Sequence, residues 1–289
     1  MLDYSALEAL GAIIRTGSFD RAAASLGVTA SAISQRIRGL EERHGARLVL
    51  RGTPCTATAE GARLIRHLEE VRMLEQALAP NVTAPPTLRI VVNADSLETW
   101  FIHALGAVRD MLIHVEVDDE SVSAQHLRDG AVSAALSADG TPVPGCDCIP
   151  LGALRYLATA SPAFLERWCP DAPPYAEAMA LAPCLTFNAK DTLQHTWLQH
   201  QGIKRPAPPL HHLPSTRGFV AATEAGLGWA LNPDVLCRQL IAEGRLVPLG
   251  PNPVEDVALF WHIPRRLKGP LAPVTEAVRK TATQWLKSR

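Results

Sequence analysis

Five polar side chains in one short stretch, Ser31, Ser34, Gln35, Arg36 and Arg38, have the types and spacing to read a polyanion. Glutamine pairs with adenine N6/N7 and arginine meets guanine or phosphate, while short serines let a backbone approach a DNA groove closely. No acidic residue occurs between Arg21 and Leu40, which suits a surface facing phosphate. Apolar residues at Ile33, Ile37 and Leu40 (i, i+4, i+7) put these polar groups on the outer faces of one helix. Thr29 can cap that helix, predicted from Thr29 to about Arg43, and belongs to the same contact set. A helical pattern before it carries Phe19, Ala22, Ala23 and Leu26 on one face, and Gly27 permits the tight turn between the two. Such a pair sends its second helix into the major groove, amino-terminal half nearest the bases. Ser31, Ser34 and Gln35 are then base-edge candidates, and Arg36 and Arg38 phosphate candidates. Periodicity alone also fits a small helical hairpin with a solvated basic face.

A second candidate lies where the apolar run Leu88–Val92 empties into Asn93-Ala94-Asp95-Ser96 at a helix start. A helix amino terminus presents unpaired amides and partial positive charge, so it attracts a carboxylate, and Ser96 can add a hydroxyl donor. Asp95 or Ser96 can equally be the N-cap, and the two roles can coexist. Catalytic chemistry finds no support: there is no G-x-S-x-G elbow, P-loop or H-E-x-x-H. Gly226-Leu227-Gly228 precedes a strand pattern instead of following one, and the ten histidines are scattered. Six cysteines, at 55, 146, 148, 169, 184 and 237, form no framework. Cys146 and Cys148 are closer than the spacing of about two to four residues usual between zinc ligands. They read as reduced thiols, with no metal and no cofactor expected.

At 289 residues the chain has room for two or three domains, and its net charge of -1 points to no polyanionic partner. The distribution does: nine arginines against four acids between Arg15 and Arg66 make that segment +5, leaving -6 on the remainder. A basic module followed by a mildly acidic body fits DNA at one end and another ligand at the other. The amino terminus moves straight into an amphipathic helix (Leu7, Leu10, Ile14), with no export signal visible and no apolar run near the ~18 residues of a membrane span. A cytoplasmic location with no membrane partner is expected.

A DNA-binding unit is expected over 1–58. A helix follows over about 59–79, with apolar positions at Leu64, Leu68, Val71, Leu74 and Leu78; the subset 64, 71 and 78 repeats every seven, as one side of a helix pair would. Some twenty residues of isolated helix are marginal in water, so the helix needs a partner. Pro80 and Pro85-Pro86 end it in a stiffened hinge, closing a linker unit over 59–86. From Thr87 strands and helices alternate, which implies parallel sheets with crossover helices. Strands are expected at Leu88–Val92, Leu112–Val117, Val132–Leu136, Leu154–Thr159, Cys184–Phe187, Gly228–Leu231 and Val257–Ile263, with helices near Leu97–Arg109 and Leu271–Leu286.

Ala22, Ala23, Leu26, Gly27, Val28, Thr29, Ala32, Ile33, Ser34, Ile37, Leu40, Glu41, Gly45 and Leu48 together resemble the amino-terminal domain of LysR-type transcriptional regulators. Arg51, Thr58 and Gly61 resemble that family's wing and the entry to its linker helix, which makes Arg51 a further phosphate or minor-groove candidate. Ala30 departs from the polar residue common there. The run through Arg51, Pro54, Cys55, Ala57 and Thr58 is similar to the arginine- and lysine-responsive ArgP/LysG subgroup. So are Asn93-Ala94-Asp95-Ser96, Asp119-Glu120-Ser121, Gly152-Ala153-Leu154 and Ala160-Ser161-Pro162-Ala163-Phe164.

The resemblance implies an α/β fold: a winged helix-turn-helix and linker helix, then a periplasmic-binding-protein-like effector domain over 87–289. Its subdomain I would span 87–158 and 259–289, and subdomain II 159–258, around a ligand cleft. It implies pairing through the 59–79 helix into a homodimer or homotetramer, operator DNA and RNA polymerase as partners, and L-lysine or L-arginine as effector. The implied output is activation of an exporter gene for basic amino acids. A regulator of another metabolite and a nucleoid-type DNA binder are the rival readings. A cationic effector needs anionic partners, for which Asp118 and Glu120 at a strand end are candidates, although Asp118-Asp119-Glu120 can equally be a solvated turn. Phe187, Asn188 and Asp191, with Ser215, Thr216 and Asn232, are the matching positions on subdomain II.

Overall fold

The computed structural model describes residues 2–78, 85–117, 126–127, 131–170 and 176–288. Helices α1 (Tyr4–Thr16), α2 (Phe19–Leu26) and α3 (Ala30–His44) open the chain. Leu7, Leu10 and Ile13 of α1 meet Ala22 and Ala23 of α2 and Ile33, Ile37 and Leu40 of α3 in one apolar cluster. That cluster is the periodic stripe of the sequence turned inward. Gly27 ends α2 in the left-handed region at φ 65°, where a β-carbon would be strained. Thr29 Oγ1 accepts from the Ala32 amide at 3.2 Å and so starts α3. Strands β1 (Val49–Leu50) and β2 (Thr56–Ala57) pair antiparallel as a short wing. Helix α4 (Ala59–Leu78) begins so close to the wing that a β-carbon on Gly61 would land on the Leu48 carbonyl oxygen.

The seven-residue stripe of α4 is not one free seam. Leu64 and Leu68 are buried in the winged domain's own cluster, and Met73 is buried in the core of the carboxy-terminal body. Neighbours on two sides consume the inner face. Val71 is half-buried, Leu74 is exposed, and Leu78 is 87% exposed.

The carboxy-terminal body is an α/β fold of two subdomains. Strand β3 (Thr87–Val92) leads into α5, built from Ala94–Ser96, a π-helical turn Leu97–Phe101 and Ile102–Leu105. This helix starts and ends earlier than the expected Leu97–Arg109. Then follow β4 (Leu112–Val117), β5 (Ala134–Ser137) and the long β6 (Cys146–Ala160). Helices α6 (Pro162–Trp168) and α7 (Ala176–Met179), β7 (Cys184–Thr186), α8 (Leu193–His200), β8 (Leu210–His212) and α9 (Thr216–Glu224) come next. The chain closes with β9 (Ala230–Pro233), α10 (Asp234–Ala242), β10 (Val247–Pro248), β11 (Val254–Pro264) and α11 (Ala272–Trp285).

Parallel pairing holds where βαβ logic applies: β3 pairs parallel with β4 and β5, and β7 with β8. It fails for the two longest strands, because β6 and β11 run antiparallel to each other along their length. At one end Trp261 of β11 pairs with Leu136 of β5, and at the other Leu157 of β6 pairs with Asn232 of β9. These two strands therefore cross from one subdomain into the other. Aromatic pairs pack each side: Trp100 meets Phe101 edge-on at 5.5 Å, and Trp197 meets Trp229 at 5.4 Å. Each such contact adds about 0.5–1.5 kcal/mol beyond area burial. No helix among the described residues is long and apolar enough to cross a membrane.

Candidate ligand cleft and nucleic-acid interface

On α3, the inward set Ile33, Ile37 and Leu40 leaves Ser31, Gln35 and Arg38 exposed and Ser34 and Arg36 half-exposed. Burial of the apolar stripe is what orients them. Ser31 Oγ lies 2.9 Å from Thr29 Oγ1 at the amino-terminal end of the helix. Arg36 and Arg38 make no ion pair among the described residues, so their guanidinium groups can neutralise phosphate. Arg51 follows β1, exposed, with its guanidinium 4.8 Å from the Phe19 ring centroid. Stacking on Phe19 fixes the wing arginine beside α2.

At the other end of the chain, a cavity of about 580 Å³ opens between the subdomains, within the usual size of a small-molecule site. Its floor comes from the crossing strands. Tyr156 and Glu255 are directly paired across β6 and β11, so their side chains share a face, and Val257 follows two residues on. One wall is the start of α5, with Asn93, Ala94 and Asp95; the other is the segment holding Phe187, Asn188, Lys190, Asp191 and Gln194, together with Thr216.

Asp95 ties three elements together. Its carboxylate accepts from Tyr156 Oη at 2.7 Å and from Thr216 Oγ1 at 2.6 Å, joining the first subdomain, a crossing strand and the second subdomain. Nearby, Arg217 reaches Glu98 at 3.1 Å across the same gap. Burial pushes the Asp95 carboxyl up, partly offset by its bonds to Thr216 and Tyr156, and the charges of Asp191 and Glu98 add to the upward shift. Asp191 is occupied differently. One of its oxygens accepts from the Phe187 amide at 2.8 Å and the other from the Leu193 amide at 3.0 Å, so it shapes the loop it sits on. Two buried acceptors on residues of the lining, Asn93 Oδ1 and Gln194 Oε1, have no hydrogen-bond partner among the described residues. Buried polar atoms are rarely left so.

Of the sequence candidates, Asn93, Asp95, Phe187, Asn188, Asp191 and Thr216 come together around this cavity. Three do not. Ser96 is fully buried beneath the start of α5 and does not line the cavity. Ser215 is the N-cap of α9, its Oγ accepting from the Gly218 amide at 3.1 Å. Asn232 is buried and donates to Thr159 Oγ1 and Thr223 Oγ1 at 3.0 and 3.1 Å, holding β9 and α9 to the crossing strand. Asp118 and Glu120 lie outside the described residues. The N-cap of α5 is Asn93, not Asp95 or Ser96. With the Asp95 carboxyl at this helix start, the position suits a ligand's ammonium better than the carboxylate expected there. Sequence reading missed Tyr156, Gln194 and Glu255. The only cue was a polar residue on the inner face of an otherwise apolar strand or helix.

Residues 4–62 match the family of bacterial regulatory helix-turn-helix proteins of the lysR type, and residues 83–283 match the LysR substrate binding domain. The HTH-type transcriptional regulator ArgP of Pseudomonas fluorescens (strain Pf0-1) is 42% identical over 296 residues, covering 99% of each chain. The crystal structure of ArgP from Mycobacterium tuberculosis superposes with a TM-score of 0.79 at 37% identity, covering 100% of both chains. Full-length LysG from Corynebacterium glutamicum with bound effector Arg superposes with a TM-score of 0.68 at 30% identity, covering 99% of this chain and 100% of that one. With a helix-turn-helix at one end and a two-subdomain cleft at the other, the chain belongs to the LysR family of DNA-binding transcriptional regulators, a non-enzymatic family, and is of the ArgP/LysG type.

Proposed function

We propose that the chain is a homo-oligomeric regulator whose effector is a basic amino acid, L-arginine or L-lysine, held in the cleft between the subdomains. One observation carries this reading: among the described residues the lining has three acids, Asp95, Asp191 and Glu255, against one base, Lys190. A ligand with two cationic groups and one carboxylate answers that inventory; a neutral or acidic metabolite leaves the surplus of acids without a counter-charge. Arginine bound to the related LysG protein supports the same class.

On this reading residues 1–58 hold operator DNA, with Ser31, Ser34 and Gln35 at base edges, Thr29 in the contact set at the helix start, and Arg36, Arg38 and Arg51 on phosphates or in the minor groove. The 59–86 segment links protomers as a dimer or tetramer, and 87–289 bind the effector. Work at a pseudo-palindromic operator, contact with RNA polymerase in the cytoplasm and activation of an exporter gene for basic amino acids complete the proposal. The effector must bind one arrangement of the domains better than another, with a coupling of ~1–3 kcal/mol.

Calorimetric titration of the full chain with each of the twenty amino acids, alone and on operator DNA, tests it. Saturable heat with arginine or lysine, with an affinity that DNA changes, is expected. Saturation by a neutral or acidic amino acid, with no heat from the basic ones, overturns the effector assignment.

A further inference from the structure

We propose that Glu255 reads the cation at the far end of the effector's side chain, while Asp95 takes the α-ammonium; this rests on the basic amino-acid reading above. The three lining acids are not equivalent. Both oxygens of Asp191 serve backbone amides of their own loop, which leaves it shaping the wall. Asp95 lies against the tip of Tyr156, bonded to its hydroxyl. Glu255 stands beside the root of the same tyrosine, since the two residues are directly paired across β6 and β11 with their β-carbons about 4.5–5.5 Å apart. The backbone of Glu255 thus sits at the opposite end of that tyrosine from the Asp95 carboxylate, which provides two anchor points for an amino acid with a distal cation.

Glu255 is built to be used. Its carboxylate is 12% exposed, and His200 Nδ1 lies 2.9 Å from Oε2 and fixes it from α8. Oε1 takes part in no hydrogen bond among the described residues. Gln194, on the same helix as His200, also belongs to the cleft lining. Glu255 Oε1 thus offers its lone pairs to a guanidinium fork or an ammonium. Its flanks are apolar: Val257 and Phe219 line the same space and lower the local dielectric, which raises the cost of offering an uncharged isostere no partner.

The test is calorimetry of the full chain with L-arginine, L-lysine and L-citrulline, the last an uncharged near-isostere of arginine. In the wild-type chain arginine binds and citrulline binds more weakly. Glu255→Gln, which can still bond His200, is expected to weaken arginine and lysine roughly 10- to 100-fold while changing citrulline less than about threefold. The preference for arginine over citrulline then collapses. Glu255→Asp keeps the charge but draws it back, so it retains that preference and shifts the arginine-to-lysine ratio. Equal weakening of arginine and citrulline by Glu255→Gln, or no weakening of either, overturns the assignment to Glu255. A wild-type chain that ignores arginine and lysine altogether defeats the effector reading instead, so the two failures are distinct.

Discussion

Asp95 is where stability and pH meet in this fold. Replacing it with alanine strands the Thr216 hydroxyl (2% exposed) in the cleft wall and takes one bond from the Tyr156 hydroxyl. Each lost partner costs about 1–3 kcal/mol, and because the site opens on a cleft that water can enter, a total of about 2–4 kcal/mol is expected. Asparagine keeps one acceptor and carries no charge, so Asp95→Asn loses only about 1 kcal/mol at acidic pH. The sign with pH follows from the raised folded pKa. Above the ordinary value of 3.8 the unfolded carboxyl releases its proton while the folded one still holds it. The native state then binds more protons, and its stability falls as pH rises, by up to about 1.4 kcal/mol per pH unit, until the folded carboxyl ionises as well. The asparagine chain lacks that slope. Urea unfolding followed by tryptophan fluorescence isolates the effect, because all six tryptophans lie at or beyond Trp100 in the carboxy-terminal body. Between the ordinary carboxyl value of 3.8 and about pH 8 the stability difference must move in favour of asparagine. An alanine variant within about 0.5 kcal/mol of wild type at both pH values, or a pH-independent difference for asparagine, refutes the reasoning.

Gly61→Ala forces α4 off the Leu48 carbonyl and should destabilise the winged domain by about 1–3 kcal/mol, read as a lower melting temperature for the amino-terminal transition. Gln35→Ala should relax operator choice at one or two base pairs by about 1–3 kcal/mol each, and unchanged preference in a binding-site selection counts against its base-edge role. The double change Leu74→Glu and Leu78→Glu alters only exposed positions of α4, so it should lower the association state in sedimentation without moving the melting temperature. Burial pushes the thiols of Cys184 and Cys237 up to about 12, so both should resist alkylation at about pH 8 in the folded chain and react on unfolding.

The amino-terminal domain was legible almost residue by residue, because Ile33, Ile37, Leu40, Gly27 and Thr29 act through local rules: period, turn and cap. Strand positions in the body were legible as apolar runs. Register and direction were not, since nothing in the runs around Leu154 and Val257 says that they pair antiparallel with each other. The cleft was half legible for the same reason. Residues at the ends of strands and the starts of helices, such as Asn93 and Thr216, were found from position alone. Tyr156 and Glu255 became neighbours only through a pairing of strands 99 residues apart in sequence. Ser215 and Asn232 do not line the cleft because a polar side chain is as readily consumed by its own backbone or core as offered to a ligand, and Ser96 does not because it is fully buried.

That same pairing of distant strands bears on how the two ends of the molecule can communicate. Strand β11 has eleven residues, roughly 35 Å at about 3.3 Å each. Near its start Glu255 and Val257 line the cleft; just past its end Arg266 clasps Glu70 of α4 with two bonds, 3.0 and 2.6 Å. Around that clasp, Glu69 accepts from the Thr87 amide at 3.0 Å, Gln76 donates to the Asp110 carbonyl at 3.0 Å, and Met73 is buried in the body's core. A half-exposed ion pair such as Arg266–Glu70 is worth at most about 1 kcal/mol by itself, so the grip on α4 is held chiefly by the buried Met73 and the backbone bonds. The other half of α4 is fixed in the winged domain through Leu64 and Leu68. One strand and one helix thus form a continuous packed path between the cleft and the DNA-reading domain. Any ligand that binds better when β6 and β11 shift must do work on that helix, and by reciprocity DNA must alter ligand affinity by the same factor.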